Sequence, residues 1–116
     1  MSKIKNLTVY GIKQCDTCRK ALKWLTAEGT THQFHDFRVD GLPPELLQSW
    51  LDSSFSDKLV NRRSTTWRQL SEAQRNSKGE ELLELLLQHP TLIKRPVFVT
   101  DEIIAVGFNA KELAEI

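Results

Sequence analysis

The alternation of apolar and polar positions predicts a strand, a loop and a helix at the start of the chain. Residues 6–10, Asn-Leu-Thr-Val-Tyr, carry β-branched and aromatic side chains and run into Gly11, as a first strand should. The loop Ile12-Lys13-Gln14 follows and delivers Cys15. From Thr17 to Glu28 the apolar residues Ala21, Leu22, Trp24 and Leu25 recur at helical spacing, and Gly29 is placed as a C-terminal stop. Residues 31–37 read as extended and run towards the turn signal Asp40-Gly41. A strand that follows one helix after a strand is most simply parallel to the first, through a right-handed crossover.

Pro43 and Pro44 suit the first turn of a second helix, with Leu46, Leu47, Trp50 and Leu51 on one apolar face. Residues 58–63 precede Ser64-Thr65-Thr66-Trp67-Arg68, a polar connection whose hydroxyls suit the capping of the next helical turn. Ser71-Glu-Ala-Gln74 has the form of a capping box, and the leucines from Glu80 to Gln88 mark a strong helix stopped by Pro90. The period then shortens. Residues 96–100 and 103–106 read as a β-hairpin closed by a two-residue turn, Asp101-Glu102, and Asn109 is placed to cap a final amphipathic helix. The order is β-α-β, helices, β-β-α, with no repeat, low-complexity tract or linker to divide it.

A chain of 116 residues is long enough to bury one core without metal or disulfide staples. A hydrophobic content of 40% and a charged content of 27% argue against disorder and against a fibrous protein. The formal net charge of +1 leaves no global footprint of nucleic-acid binding. The first ten residues are too polar for the apolar middle of a secretory signal, and the run Leu82-Leu83-Glu84-Leu85-Leu86-Leu87 is too short to cross a bilayer. A cytoplasmic protein is expected, and in a reducing compartment two closely spaced cysteines point to catalysis or redox sensing rather than to a structural disulfide.

Both cysteines lie in the stretch Tyr10 to Lys20, where the strand pattern stops and the helix pattern starts. Unpaired N–H groups and the positive end of the macrodipole favour a thiolate at a helix N-terminus. Cys15, at the end of the loop, is the better nucleophile. Cys18, about one turn on, either resolves a mixed disulfide formed at Cys15 or is a small buried residue. A zinc site is the competing reading, because thirteen residues separate Cys18 from His32, with His35 close behind. Those histidines are closer together than in the usual finger and fall on a predicted strand, and the helix begins directly at the cysteines, so no metal is expected.

Among nearby cations, Arg19 follows the cysteines in the first helical turn and can aim its fork at an oxyanion, whereas Lys20 and Lys23 read as a solvated helix face. Arg62-Arg63 and Lys94-Arg95 are basic doublets in loops, and Arg95, directly before Pro96, can project into the cleft of Cys15. Trp24 and Trp50 fit apolar helix faces. Trp67 fits packing and function equally, and His89 reads as a favourable charge near a helix C-terminus.

Four ordered blocks carry a family resemblance: Leu-Thr-Val-Tyr-Gly before Cys15-Asp-Thr-Cys18-Arg19-Lys20-Ala21; Asp36-Phe37-Arg38; Asn61-Arg-Arg-Ser-Thr-Thr-Trp-Arg68; and Leu92-Ile-Lys-Arg95-Pro96-Val with Val106-Gly107-Phe108. Over essentially its whole length the chain resembles the arsenate-reductase (ArsC) family, which includes the Spx regulators and the YffB-like proteins. The resemblance implies one domain over residues 1–116 with an α/β, thioredoxin-like fold: β-α-β then β-β-α around a mixed four-stranded sheet. The core would occupy roughly residues 1–40 and 91–116, and a helical insertion roughly 41–90. It also implies a cis Pro96 facing the active cysteine. In the arsenate reductases the counterpart of Cys15 attacks arsenate, arginines bind the oxyanion and glutathione completes the reduction; Cys15, Arg19 and Arg95 match those positions.

The departures shift the expected substrate. Phe108 stands at the approximate position of another oxyanion-binding arginine, Asn61 falls near a further one with Arg62 or Arg63 as its replacement, and Cys18 is an addition to the single active cysteine. The Thr-Thr-Trp-Arg block looks most like the YffB-like subgroup, regarded as glutathione-dependent thiol reductases. The expected function is therefore a glutathione-dependent thiol/disulfide oxidoreductase, with Cys15 and Cys18 catalytic, Arg19, Arg95, Arg62 and Arg63 binding substrate or anion, and Pro96 structural at the site. An arsenate reductase using glutathione and glutaredoxin, and an Spx-like redox regulator binding RNA polymerase, are the alternatives. No tightly bound cofactor is expected; glutathione is the co-substrate, with a thiol/disulfide or oxyanion substrate and glutaredoxin as partners. Nucleic acid and membrane are not expected partners, and the chain is expected to be a monomer.

Overall fold

The computed structural model describes residues 6–116. The reading of the N-terminus as unlike a secretory signal rests in part on residues 1–5, outside the described residues. In chain order the elements are β1 (Leu7–Gly11), α1 (Asp16–Ala27), β2 (His32–Asp36), α2 (Pro44–Leu51), α3 (Ser56–Leu59), α4 (Thr65–Gln69), α5 (Glu72–Arg75), α6 (Glu80–Gln88), a 3₁₀ turn (Pro90–Leu92), β3 (Val97–Val99), β4 (Ile103–Val106) and α7 (Ala110–Ala114). Two compact units result, one from the described part of Met1–Gly41 with Arg95–Ile116, the other from Leu42–Lys94. Among the described residues no helix is long and apolar enough to cross a membrane.

The first unit is a thioredoxin-like α/β fold. Its four-stranded sheet has the order β2-β1-β3-β4, with β1 parallel to β2 and antiparallel to β3, and β3 antiparallel to β4. Along β1 the residues Leu7, Val9 and Gly11 are buried and Thr8 and Tyr10 are half-buried, the period of two that a strand imposes. Helix α1 buries Cys18, Ala21 and Leu25, spaced i, i+3, i+7, on one face. Ala21 and Leu25 join Leu7, Val9, Phe98 and Leu113 in the core, each such large side chain contributing about 1.5–3 kcal/mol by leaving water. Gly29 ends α1 at φ 71°, a backbone conformation that costs a side-chain-bearing residue more than glycine.

The hairpin differs from the expected two-residue turn. Thr100, Asp101 and Glu102 all lie between the strands, the Thr100 N–H donates to the Glu102 carbonyl at 3.0 Å, and the register slips so that Phe98 faces Ala105 while Val99 faces Ile103. Tight two-residue hairpin turns need positive φ, and Asp101-Glu102 holds no glycine or asparagine to supply it, so a longer loop with a bulge forms instead.

The helical unit buries Leu47 and Trp50 of α2, Leu59, Leu85 and Leu86 of α6, and Leu92 and Ile93. Val60 and Ile93 form an isolated antiparallel bridge, flanked by bonds from Asn61 N–H to the Leu92 carbonyl and from Lys94 N–H to the Leu59 carbonyl, both 2.7 Å. Residues 64–68 read in sequence as a polar connection, yet α4 itself forms there, because the Ser64 hydroxyl accepts the Trp67 N–H at 3.1 Å and caps it. The Ser71–Gln74 capping box closes in both directions around a helix of only four residues.

Candidate active site

Strand β1 ends at Gly11, and the next four residues turn so that the Cys15 N–H reaches the Ile12 carbonyl at 2.9 Å. Cys15 is the N-cap of α1: its backbone is still extended, while its carbonyl already accepts the Arg19 N–H at 3.0 Å. Its side chain is half-buried at the positive end of the helix, whereas Cys18 is fully buried; both are thiols. Cys18 lies against Gly11, and glycine is required there because a Cβ at that position would stand 2.5 Å from the Cys18 Sγ.

The two sulfurs are driven in opposite directions. For Cys15, burial opposes ionisation, but hydrogen bonds from the Cys18 backbone N–H, the Cys18 thiol and Arg95, with the charge of Arg95, outweigh it and hold the thiol below its ordinary value. For Cys18, burial dominates; the Ile12 N–H opposes it only in part, the neighbouring Cys15 adds to it, and the pKa is pushed up to about 11. The pair is therefore a thiol drawn towards ionisation beside one that is held protonated and donates to it.

Arg95 and Pro96 reach this place from the other end of the chain. Arg95 is half-buried, its peptide bond to Pro96 is cis, and the Pro96 carbonyl accepts the Gly107 N–H at 2.8 Å at the end of the hairpin. Arg19 is differently occupied: its Nε donates to the Lys13 carbonyl at 3.2 Å, and its guanidinium lies 3.7 Å from the exposed Asp16 carboxylate. Arg62 and Arg63 belong to the helical unit, both exposed, with the Arg62 guanidinium 5.7 Å from the centre of the Trp67 ring. They line a hollow of about 420 Å³ together with Lys58 and Lys94. The structure thus brings Cys15, Cys18 and Arg95 together, with Pro96 next to Arg95 in the chain, rests the Arg19 side chain of α1 against the loop before Cys15, and assigns Arg62 and Arg63 to the other unit.

Two residues gain a structural account that sequence reasoning missed. Asp36 is buried at 7% exposure, and its carboxylate accepts the Lys13 N–H at 2.9 Å and the Arg38 N–H at 2.8 Å. Burial opposes its charge, but these N–H groups with that of Val39, and the Arg38 charge, outweigh it and hold the carboxyl below its ordinary value. It anchors the peptide of Lys13, whose carbonyl in turn holds Arg19. The signal available in sequence was only an acidic residue at the end of a predicted strand, which usually reads as a turn. Phe108 packs edge-on against Trp24, ring centres 6.0 Å apart, at the margin of the core, so it is a packing residue.

The histidines are engaged with the backbone: His32 Nδ1 lies 2.9 Å from the Thr30 carbonyl, and His35 Nε2 lies 2.6 Å from that of Gly41. Among the described residues no group of three or more His, Cys, Asp or Glu is arranged to hold a metal ion.

A thioredoxin-like sheet carrying a cysteine at the N-cap of α1, with Arg95 turned to its sulfur, has the architecture of the thiol-redox class. The ArsC family model matches residues 10–116. An uncharacterized protein of Haemophilus influenzae is 50% identical over 107 residues, covering 91% of this chain and 94% of that protein. The regulatory protein MgsR of Bacillus subtilis is 31% identical over 114 residues, covering 97% and 90%. Among solved structures, the YffB protein PA3664 superposes with a TM-score of 0.83 at 37% identity, covering 94% of this chain and 96% of that one. The chain belongs to the ArsC family.

Proposed function

We propose that the protein is a cytoplasmic, glutathione-dependent thiol/disulfide oxidoreductase with Cys15 as nucleophile. The observation that supports this reading is the sulfur of Cys15 at a helix N-terminus with Arg95 and two Cys18 donors turned to it. The Cys15 thiolate attacks the glutathionyl sulfur of a mixed disulfide R–S–S–G. The old S–S bond breaks, a Cys15–glutathione disulfide forms, and the R–S⁻ that leaves takes a proton from solvent. A second glutathione thiolate attacks the glutathionyl sulfur, giving oxidised glutathione and returning Cys15 as thiolate. The sum is R–S–S–G plus glutathione to R–SH plus oxidised glutathione.

Cys18 is the weaker candidate for the resolving thiol. Its sulfur is fully buried, and that burial is the largest cause holding it as a thiol. Its role in this reading is to donate to Cys15. Arg95 holds the thiolate of Cys15, and Arg19 binds a carboxylate or an oxyanion; in the helical unit Arg62 and Arg63 are anion-binding candidates in their own right. Arsenate is the less favoured substrate, since Phe108 offers packing where the arsenate reductases place an arginine.

Mass spectrometry after incubation with oxidised glutathione tests the reading: a single glutathione adduct on Cys15, in wild type and in Cys18→Ser, is expected. An internal Cys15–Cys18 disulfide in place of the adduct would replace glutathione with Cys18 as resolving group, and no reaction at Cys15 would end the proposal. A second reading, a redox-switched regulator, is favoured by the likeness to MgsR. Capture of the RNA polymerase α subunit in one redox state only is its test.

A further inference from the structure

A groove of about 590 Å³ lies alongside α1, lined by the apolar side chains of Leu22, Phe34 and Val39 and by the cations Lys13, Arg19 and Lys23. Cys15, Arg19, Leu22 and Lys23 are spaced i, i+4, i+7 and i+8, so the groove follows the helix face that begins at the nucleophile. Val39 is 78% exposed; the other large exposed apolar side chain among the described residues is Ile116, the last residue of the chain. A single exposed valine is ordinary, but one that extends an apolar groove marks a contact surface.

The cations of the groove, Lys13, Arg19 and Lys23, outnumber its carboxylates, Asp36 and Asp40. Asp36 is buried on the N–H groups of Lys13 and Arg38, while Asp40 is exposed and its carboxylate accepts the Asp36 N–H at 3.1 Å. Arg19 is partly engaged by Asp16 and the Lys13 carbonyl, whereas Lys13 and Lys23 are exposed and make no ion pair among the described residues.

We propose that this groove docks a segment of a disulfide-bearing partner protein in which a bulky apolar side chain stands next to a carboxylate. The apolar side chain lies against Leu22, Phe34 and Val39, and the carboxylate meets Lys23 or Lys13. The partner is thereby held along the face that leads to Cys15, so the groove selects among protein disulfides. This inference rests on the thiol/disulfide reading and names its substrate class.

The test uses two eight-residue peptides, each with a central cysteine in mixed disulfide with glutathione, one carrying Leu-Glu beside the cysteine and the other Ser-Ser. Wild type is expected to show kcat/KM about tenfold higher for the Leu-Glu peptide, and Val39→Asp/Lys23→Glu to reduce that preference to roughly twofold or less. Both proteins are expected to reduce 2-hydroxyethyl disulfide, which has nothing to dock, at equal rates. Measurable but equal rates for the two peptides in wild type, or a preference that survives in the double variant, overturns the proposal. The same peptides with serine for cysteine, titrated into ¹⁵N-labelled wild type, read docking without chemistry: shifts confined to the Leu-Glu peptide and centred on Lys23 and Val39 are expected, and their absence also overturns it. Failure of wild type to turn over any disulfide, with those shifts present, removes the thiol-transfer reading and leaves the docking groove standing.

Discussion

Gly11 and Cys18 are in direct steric register: the missing Cβ of the one is the space filled by the sulfur of the other, 2.5 Å from where that carbon would be. Gly11→Ala is therefore expected to destabilise the protein by about 1–3 kcal/mol, since overpacking outweighs the gain of up to about 1 kcal/mol from a stiffer unfolded chain. Urea unfolding of Gly11→Ala, Cys18→Ala and the double variant checks it. The double variant should be more stable than the sum of the single changes allows.

Arg95→Met removes a hydrogen bond and a positive charge from the Cys15 sulfur, so the apparent pKa of Cys15 rises towards that of an ordinary cysteine. Iodoacetamide alkylation followed against pH should show a severalfold slower reaction at pH 6.5, converging with wild type near pH 10, where Cys15 is ionised in both proteins. A pH profile that does not move would detach Arg95 from the nucleophile.

Cys18 has its folded pKa raised, so the folded state resists losing that proton. The corresponding stability is complete below the ordinary thiol value near 8.5 and is lost as pH rises towards about 11. Denaturant midpoints are expected to fall above about pH 8.5 in Cys15→Ser, where burial still raises Cys18 although the neighbouring sulfur is gone, and the part of the slope due to Cys18 should vanish in Cys15→Ser/Cys18→Ala. At pH 7 to 8 folded protein should take up one equivalent of iodoacetamide, on Cys15.

Asp36 has its folded pKa lowered, which gives the opposite sign: its contribution is present above the ordinary carboxylate value near 4 and lost as pH falls through the lower folded value. Asp36→Asn, in which one side-chain oxygen remains as acceptor, should lose about 1–3 kcal/mol at pH 7 and show a flatter loss of stability below pH 4. Because the Lys13 peptide carries the loop to Cys15, amide exchange at Lys13 is expected to quicken in the variant while exchange in β3 stays unchanged. Equal protection of Lys13 in both proteins would remove Asp36 from the positioning of that loop.

Elements whose causes are local were legible from the chain. Helix α6 runs over the residues its leucine spacing marked, Asn109 caps α7 by accepting the Glu112 N–H at 3.1 Å, and Ser71 and Gln74 close their box. Each depends on side chains and amides within a few residues of one another. The hairpin turn and the helix at Thr65–Gln69 were less legible, because weak local preferences there leave the outcome to register and packing.

The sequence by itself determined the strand-loop-helix whose helix begins at two cysteines, the parallel return of β2, and the basic residue beside Pro96. Periodicity, punctuation and adjacency are properties of neighbours along a chain. Only the tertiary structure decided that Arg95 meets a sulfur eighty residues away in sequence, that Asp36 anchors the Lys13 peptide across 23 residues, that Phe108 packs on Trp24, and that Cys18 is sealed beneath Gly11. Those contacts form when β1 pairs with β2 on one side and β3 on the other, and burial then sets which thiol can ionise.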